Sequence, residues 1–285
     1  MYVVMGITGQ VGGATARALL AAGQKVRAVV RDEAKGAAWR AAGCEIAVAD
    51  IGNPYALRDA FSGAEAVFAM LPPLFDPAPG YPEAAAMIRS LRSALEVARP
   101  AKVVALSTIG AAAQRPNLLN QLGMLESALR ELPMPAAFVR AAWFMENFAW
   151  DIAAARDTGF LHSYLQPLDR AIPMIATADV GSTAAALMRE DWQGKRIVEL
   201  EARQPVSPAL AAQTLGRILA RDVRAQAVPR ESWQSLFVAQ GMRHPLPRIQ
   251  MLDGFNEGWI AFDGEGERRH GGTTLETVLA GLAAT

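Results

Sequence analysis

The sequence predicts an α/β fold, in which a doubly wound parallel sheet is followed by a smaller α+β lobe. Short apolar runs rich in β-branched residues alternate with alanine-rich amphipathic stretches over the first half of the chain, a pattern typical of repeated strand–helix–strand units. Three glycines lie between the first run and the first stretch, and the alternation ends after Arg140. Because 285 residues exceed the usual size of one compact domain, we predict a sheet domain over residues 1–140 and a lobe over residues 141–285.

The elements of the sheet domain can be assigned in order. Six apolar runs are predicted strands: Tyr2–Met5, Lys25–Val30, Glu45–Ala49, Ala66–Met70, Lys102–Ser107 and Ala136–Val139. Three helices are predicted between them: Val11–Ala22, Pro54–Phe61 and Glu83–Ala98. Gly23 stands where a glycine ends a helix, and Asn53 before Pro54 is typical of a helix start. The proline-rich segment from Leu71 to Gly80 is predicted to be a loop after the fourth strand.

The lobe has a less regular pattern. The first predicted elements are a helix capped by Asp179 and reaching Met188, and a strand at 195–201 that returns to the main sheet. A helix from Ser207 and Pro208 to about Arg221 and a strand over Arg224–Val228 follow. The last two are a helix from about Glu231 and a helix opened by a capping box from Thr273 to Glu276. No linker is long enough to release this lobe from the sheet.

Composition excludes several classes of function. Lys plus Arg and Asp plus Glu each number 28, so no net field attracts nucleic acid or an anionic membrane. The sequence has neither a signal-peptide pattern nor an uninterrupted apolar stretch long enough for a membrane span, and we expect a cytoplasmic protein. Cys44 is the only cysteine, and the three histidines lack ligand spacing, so no metal site is predicted.

The strongest chemical signal is the spacing of Gly6, Gly9 and Gly12, directly after the first strand and before the first helix. Glycines at these positions permit a tight turn and let the backbone approach a pyrophosphate at the helix N-terminus. Thr8 and Gln10 offer further polar contacts. The pattern predicts a Rossmann-type dinucleotide site, and a plain strand-to-helix turn is the alternative.

Charges after the second strand favour NADP(H) over NAD(H). An NAD site usually has an acidic residue at this position, whereas this chain has Arg31, with Lys35 one turn later. A guanidinium there suits a 2′-phosphate. The alternative is that both are solvated surface charges and that Asp32 binds the ribose. Asp50, after the third strand, is either near the adenine or only a turn cap.

Several short segments resemble the NmrA-like family of atypical short-chain dehydrogenases/reductases over essentially the full length. They are the glycine loop, Val30-Arg31-Asp32 with Lys35, Ala49-Asp50, Leu71-Pro72-Pro73, Leu106-Ser107-Thr108, Val139-Arg140, Phe144-Met145-Glu146-Asn147, Asp179-Val180-Gly181 and Gly272-Thr273-Thr274. The resemblance implies a cofactor site formed by Gly6, Thr8, Gly9, Gln10, Val11, Gly12, Arg31, Lys35, Asp50, Ile51, Met70, Leu71, Pro72, Ser107, Thr108 and Ile109. It also implies that residues 141–147 form the floor between cofactor and substrate.

The chain departs from the usual short-chain dehydrogenase pattern because no Tyr-x-x-x-Lys pair occurs in it. That lysine normally lowers the tyrosine pKa so that the phenol can transfer a proton. The matching region, 117–129, offers only Gln121 and Glu126, the latter more naturally a helix-surface or structural residue. Tyr164 is a weaker substitute candidate. No catalytic residue is therefore assigned.

Aromatic residues after Arg140 predict a pocket for a flat apolar substrate, formed by Trp143, Phe144, Asn147 and Phe148. The alternative is that this stripe is core beneath the lobe. An NAD(P)H-dependent reductase of quinone-like or other conjugated molecules fits the missing tyrosine, since a conjugated product needs little proton assistance.

The competing hypothesis is a non-catalytic NAD(P)(H)-binding redox sensor that acts through protein partners. A nucleic-acid-binding regulator has the least support, because no basic patch is interleaved with aromatic residues. The sequence leaves open a homodimer or a separate protein partner.

Overall fold

A computed structural model describes residues 1–284. In this range the strands are β1 (Tyr2–Val4), β2 (Val26–Val30), β3 (Glu45–Val48), β4 (Ala66–Ala69), β5 (Lys102–Thr108), β6 (Ala136–Ala141), β7 (Trp143–Phe144), β8 (Phe160–Ser163), β9 (Met174–Ile175), β10 (Lys195–Ala202), β11 (Arg224–Ala227) and β12 (Glu267–Gly271).

The α-helices are α1 (Gln10–Ala21), α2 (Ala37–Ala41), α3 (Pro54–Phe61), α4 (Pro82–Ala98), α5 (Asn120–Arg130), α6 (Ile152–Thr158), α7 (Thr177–Arg189), α8 (Pro208–Leu219), α9 (Trp233–Ala239), α10 (Leu246–Glu257) and α11 (Leu275–Ala283). Short 3-10 helices span Glu33–Gly36, Met145–Trp150 and Arg230–Ser232.

One parallel sheet of eight strands organises the fold, in the order β12-β10-β6-β5-β4-β1-β2-β3. The chain winds outward from β1 to β3 on one side and from β4 to β6 on the other. The direction therefore reverses between β1 and β4, where a doubly wound sheet opens a crevice at the carboxyl ends of its strands. The predicted Rossmann-type fold class is confirmed. Strands β10 and β12, from the C-terminal half, extend the sheet beyond β6.

Both faces of the sheet are buried because alternate strand residues point to opposite sides. Val4 and Phe68 pack in the cluster beneath α1 and α7, whereas Val3 and Val67 pack in the cluster with α3, α4 and α5. A third cluster fills the lobe around the fully buried Trp233 and Phe237. The lobe also holds two small parallel pairs, β8 with β11 and β7 with β9.

Local helix-start signals are confirmed where the partner is close in sequence. The Asn53 carboxamide oxygen accepts hydrogen bonds from the N–H groups of Tyr55 and Ala56, 3.2 and 3.1 Å away. The Ser207 hydroxyl likewise accepts a 3.1 Å bond from the N–H of Leu210. These bonds satisfy helix donors that have no partner within the helix.

Two predicted helix caps are wrong. Helix α7 begins at Thr177, so Asp179 lies within its first turn, where its carboxylate accepts 2.9 Å bonds from the N–H and the hydroxyl of Thr273. Thr273 is thereby engaged, and Thr274 caps α11 instead. Each side chain takes a distant partner in preference to the local one that its spacing suggested.

Candidate functional site

The glycine loop after β1 has no room for a side chain at two of its three glycines. Gly6 has a positive φ of 62° and lies against the Met70 sulfur, and a Cβ on Gly12 would overlap the Gly6 carbonyl oxygen. Gly9 differs, because a Cβ there would meet only that oxygen, at 3.3 Å, and otherwise open space. Gly6 and Gly12 are therefore required by the loop itself. The missing side chain of Gly9 instead leaves room beside the helix.

The N-terminus of α1 is open. Its N-cap is Gly9, which supplies no capping side chain, and its first turn has no acidic residue. Thr8, Gly9 and Gln10 are exposed, while Val11 and Gly12 are buried. Unpaired N–H groups and the helix dipole at such an end attract an anion. The loop thus fits a pyrophosphate.

Helix α7 holds α1 in place from the other half of the chain. Gly181 faces Ala14 and Thr15 so closely that any Cβ would overlap them. Gly181 therefore lets α7 support the helix that follows the glycine loop. No local pattern in the sequence indicates this role.

The carboxyl ends of β2 and β3 present the predicted charged side chains. Arg31 and Lys35 are both exposed. The Asp32 carboxylate instead accepts a 3.0 Å bond from the N–H of Ala34 and caps its own 3-10 turn. This arrangement leaves the two cations facing solvent, as a 2′-phosphate site requires.

Asp50 and Ile51, which follow β3, differ in exposure: Asp50 is exposed and Ile51 is buried. The Asp50 carboxylate accepts a 2.8 Å bond from the N–H of Gly52, which matches the cap alternative, and Ile51 is buried. Both lie at the same sheet edge as Arg31, because β3 pairs with β2.

The ends of β4, β5 and β6 bring the remaining predicted cofactor residues together. Met70, Leu71 and Pro72 follow β4, and Ser107, Thr108 and Ile109 end or follow β5, and these two strands are paired. The N–H of Ile109 donates a 2.8 Å bond to the Ala141 carbonyl oxygen. The predicted floor therefore begins directly beside the end of β5.

A buried ion pair lies behind Ser107. Glu126, which the sequence left between surface and structural roles, is buried. Its carboxylate accepts bonds from the Ser107 hydroxyl at 2.6 Å and from the Arg140 Nε and Nη2 at 2.9 Å each. Arg140 also donates to Asp263 at 2.6 Å. The hydrogen bonds with Glu126 raise the pKa of Arg140, and the paired charges fix the orientation of the Ser107 hydroxyl.

The aromatic stripe of the floor divides into three environments. Trp143 and Phe144 are half-buried, and the Trp143 ring packs edge-on against Phe255 at a centroid distance of 5.0 Å. Asn147 is also half-buried, whereas Phe148 is only 7% exposed and lies in the lobe core. Trp150 is 68% exposed and contacts Phe75 of the loop after β4. Phe148 therefore matches the core alternative, and the substrate pocket formed by Trp143, Phe144 and Asn147 stays a prediction.

Gln121, Tyr81 and Tyr164 all make structural contacts. Gln121 donates bonds to the carbonyl oxygens of Leu74 and Leu118. The Tyr81 hydroxyl donates a 2.9 Å bond to the Asn117 carbonyl oxygen, and burial raises its pKa. Tyr164 packs against Trp233 and Phe237 in the lobe.

This geometry agrees with comparisons to known proteins. Residues 2–257 match the model of the NmrA-like family. The chain belongs to the NmrA-like family. This member is 27% identical over 248 residues to the NAD(P)H azoreductase of Xenophilus azovorans, covering 86% of this chain and 83% of that enzyme.

Solved structures share the fold of this NmrA-like protein. The NADPH-dependent quinone oxidoreductase of Escherichia coli, in complex with NADPH, has a TM-score of 0.82 at 22% identity, with 99% of each chain covered. The triphenylmethane reductase of Citrobacter sp. has a TM-score of 0.81 at 21% identity, covering all of this chain and 99% of that one. Within residues 1–284, no helix combines the length and hydropathy needed to cross a bilayer.

Proposed function

We propose that this protein is an NADPH-dependent reductase of quinone-like or other conjugated small molecules. The observation that carries the proposal is the open N-terminus of α1 at the strand-order reversal, with Arg31 and Lys35 exposed after the neighbouring strand. The names of the relatives support the substrate class, because one acts on azo compounds, one on quinones and one on triphenylmethane dyes.

Each part of the dinucleotide has residues suited to hold it. The loop from Gly6 to Gly12 would bind the pyrophosphate through N–H groups, and Arg31 with Lys35 would bind the 2′-phosphate. The cleft for the nicotinamide would be lined by residues that follow β4 and β5: Met70, Leu71, Pro72, Ser107, Thr108 and Ile109. When bound, the nicotinamide supplies a hydride.

The substrate side is suited to a flat acceptor. Trp143 and Phe144 would position its rings, and the half-buried Asn147 carboxamide could donate a hydrogen bond to an acceptor oxygen or nitrogen. A conjugated acceptor spreads the negative charge that arrives with the hydride, so it demands little from a protein acid. The absence of a Tyr-x-x-x-Lys pair is therefore compatible with turnover of such acceptors.

NADPH absorbance followed across quinones, azo dyes and simple aldehydes tests this proposal. We expect turnover with the first two classes and none with aldehydes, which need proton transfer from an acid. Replacing Trp143 with alanine should lower kcat/KM by about 10- to 100-fold, the effect of losing one large positioning contact. Absence of any reduction, together with NADPH-dependent protection from proteolysis, would instead favour the redox-sensor hypothesis.

A further inference from the structure

Arg248 lies on α10, where the lobe meets the loops after β4 and β5. The N–H of Leu118 donates a 2.9 Å bond to the Pro247 carbonyl oxygen. In the segment before α10, the N–H groups of Arg243 and His244 donate to the Asp76 carboxylate at 2.9 and 2.6 Å. Leu118 follows β5 and Asp76 follows β4. These bonds fix the start of α10 at the edge of the sheet that carries the proposed site.

The Arg248 guanidinium has an aromatic environment. Its carbon lies 4.4 Å from the ring centroid of Phe237, which is 0% exposed. The Tyr164 ring lies beside that phenyl ring, with centroids 5.1 Å apart. Burial lowers the pKa of Arg248. One face of the cation is thus removed from water by apolar groups, which favours binding of an anion.

Within residues 1–284, no carboxylate forms an ion pair with this cation. The carboxylates of α10 are engaged elsewhere, Asp253 with Arg230 at 2.6 Å and Glu257 with Arg115 at 3.3 Å. In the part of the chain that the structure describes, the acceptor recorded for Arg248 is the Met242 sulfur, at 3.8 Å, and no carboxylate oxygen lies within 4 Å. Partly buried arginines are normally paired, since a guanidinium has five donors to satisfy.

The same face of α10 reaches the floor of the proposed site. Arg248 and Phe255 are seven residues apart, so their side chains leave the helix in nearly the same direction. Phe255 is the residue that packs edge-on against Trp143. The unpaired cation therefore belongs to the face of α10 that contacts the floor.

We propose that Arg248 binds an anionic substituent, a sulfonate or carboxylate, of the conjugated acceptor and so selects acidic substrates. The planar guanidinium matches two oxygens of such a group. The Phe237 ring packs behind the guanidinium, and Trp143, which contacts Phe255 on the same face of α10, offers an aromatic surface to the rest of the substrate. This inference rests on the proposed reductase function for its substrate class, but its binding step can be measured without turnover.

The kinetic test compares a phenylazo-naphthol dye with its 4-sulfonate in the Arg248→Met variant. The KM for the sulfonated dye should rise by about 10- to 100-fold, the range for losing a charge-assisted hydrogen-bond pair. The KM for the neutral dye and the Kd for NADPH should change by less than about threefold. Arg243→Met is the matched control, because this neighbouring arginine is exposed, and it should leave both dyes unaffected.

A binding measurement separates this inference from the proposed function. Tryptophan fluorescence of the NADPH-loaded protein should report naphthalene-2-sulfonate binding that Arg248→Met weakens, while binding of neutral naphthalene persists. That result without any dye reduction would retain the anion site and reject the reductase. Arg248→Lys keeps the charge and should lose only about three- to tenfold for the sulfonate. Equal weakening of the neutral and anionic ligands would show that Arg248 only packs against Phe237, and would overturn the proposal.

Discussion

Helices α1 and α7 cross each other closely, yet their N-termini are completed in opposite ways. The end of α1 has no side-chain cap. At α7, the N-cap Ala176 also lacks a capping side chain, but the Glu146 carboxylate accepts bonds from the Thr177 N–H at 2.9 Å and hydroxyl at 2.7 Å. The protein therefore satisfies the N-terminus of α7 with one of its own carboxylates and leaves the N-terminus of α1 without a side-chain cap. The closed N-terminus of α7 shows that this fold can satisfy a helix end with a side chain, so the missing cap of α1 is a meaningful difference.

The largest expected effect comes from placing a side chain at the open N-terminus of α1. Gly9→Val should weaken NADPH binding by more than about 100-fold, since its branched side chain occupies the place of the pyrophosphate. Its backbone is extended, with φ −94° and ψ 178°, so the fold should persist. Calorimetry measures the binding and circular dichroism the fold. Gly281→Val, in open space on α11, is the control, and unchanged affinity in a folded Gly9→Val protein would remove the assignment of this loop.

A second prediction distinguishes the proposed 2′-phosphate site at Arg31 from the proposed pyrophosphate site at the N-terminus of α1. Arg31→Ala should raise the Kd for NADPH by about 10- to 100-fold and leave the Kd for NADH nearly unchanged, because only NADPH carries the 2′-phosphate. Arg40→Ala, an exposed arginine paired with Glu33, should alter neither value. Equal losses for both cofactors would contradict a 2′-phosphate role for Arg31.

Removing the carboxylate that closes the N-terminus of α7 should lower stability and leave NADPH binding intact. Glu146→Ala removes the cap of α7 and should lower the free energy of unfolding by about 1–2 kcal/mol, the usual value of an N-cap. Urea denaturation can measure this change, with the exposed Glu96→Ala on α4 as a control. If NADPH affinity fell instead while stability held, Glu146 would belong to the ligand site.

The smallest effect concerns α6, whose preceding Asp151 makes no side-chain cap bond. Burial raises the pKa of Asp151 to about 7. A raised carboxyl pKa means that the folded state holds the proton more tightly, so stability falls as pH rises from about 4 to about 7 and is constant above. Asp151→Asn should therefore raise Tm by about 2–4 °C at pH 8 and by less at pH 5. A pH-independent difference would refute this explanation.

Sequence reasoning predicted the features whose determinants are contiguous. The glycine loop and the caps at Asn53 and Ser207 need partners only a few residues away, so their spacing indicates their structure. The Asp179–Thr273 contact joins residues 94 positions apart, and no local pattern reveals it. Strand β12, with the sequence ERRHG, has mostly exposed charged residues and becomes a strand because β10 offers an edge.

The aromatic stripe after Arg140 also depends on contacts that local sequence does not reveal. Its aromatic spacing gives no indication that the 3-10 helix places Phe148 in the core and Trp150 in solvent. Arg248 was missed for a related reason, since its environment is assembled from α9, α10 and the segment around Tyr164. Such sites depend on tertiary contacts among segments whose individual sequences have no distinctive motif.

The crossing of α1 and α7 at Gly181 also constrains the order of events during synthesis. Helix α1 is synthesised before α7, and the surface that covers it is about 160 residues further along the chain. A nascent chain stopped before α7 would have the complete glycine loop on an unsupported helix. If this loop binds a dinucleotide as proposed, binding should begin only after α7 has been translated, late in the synthesis of the chain.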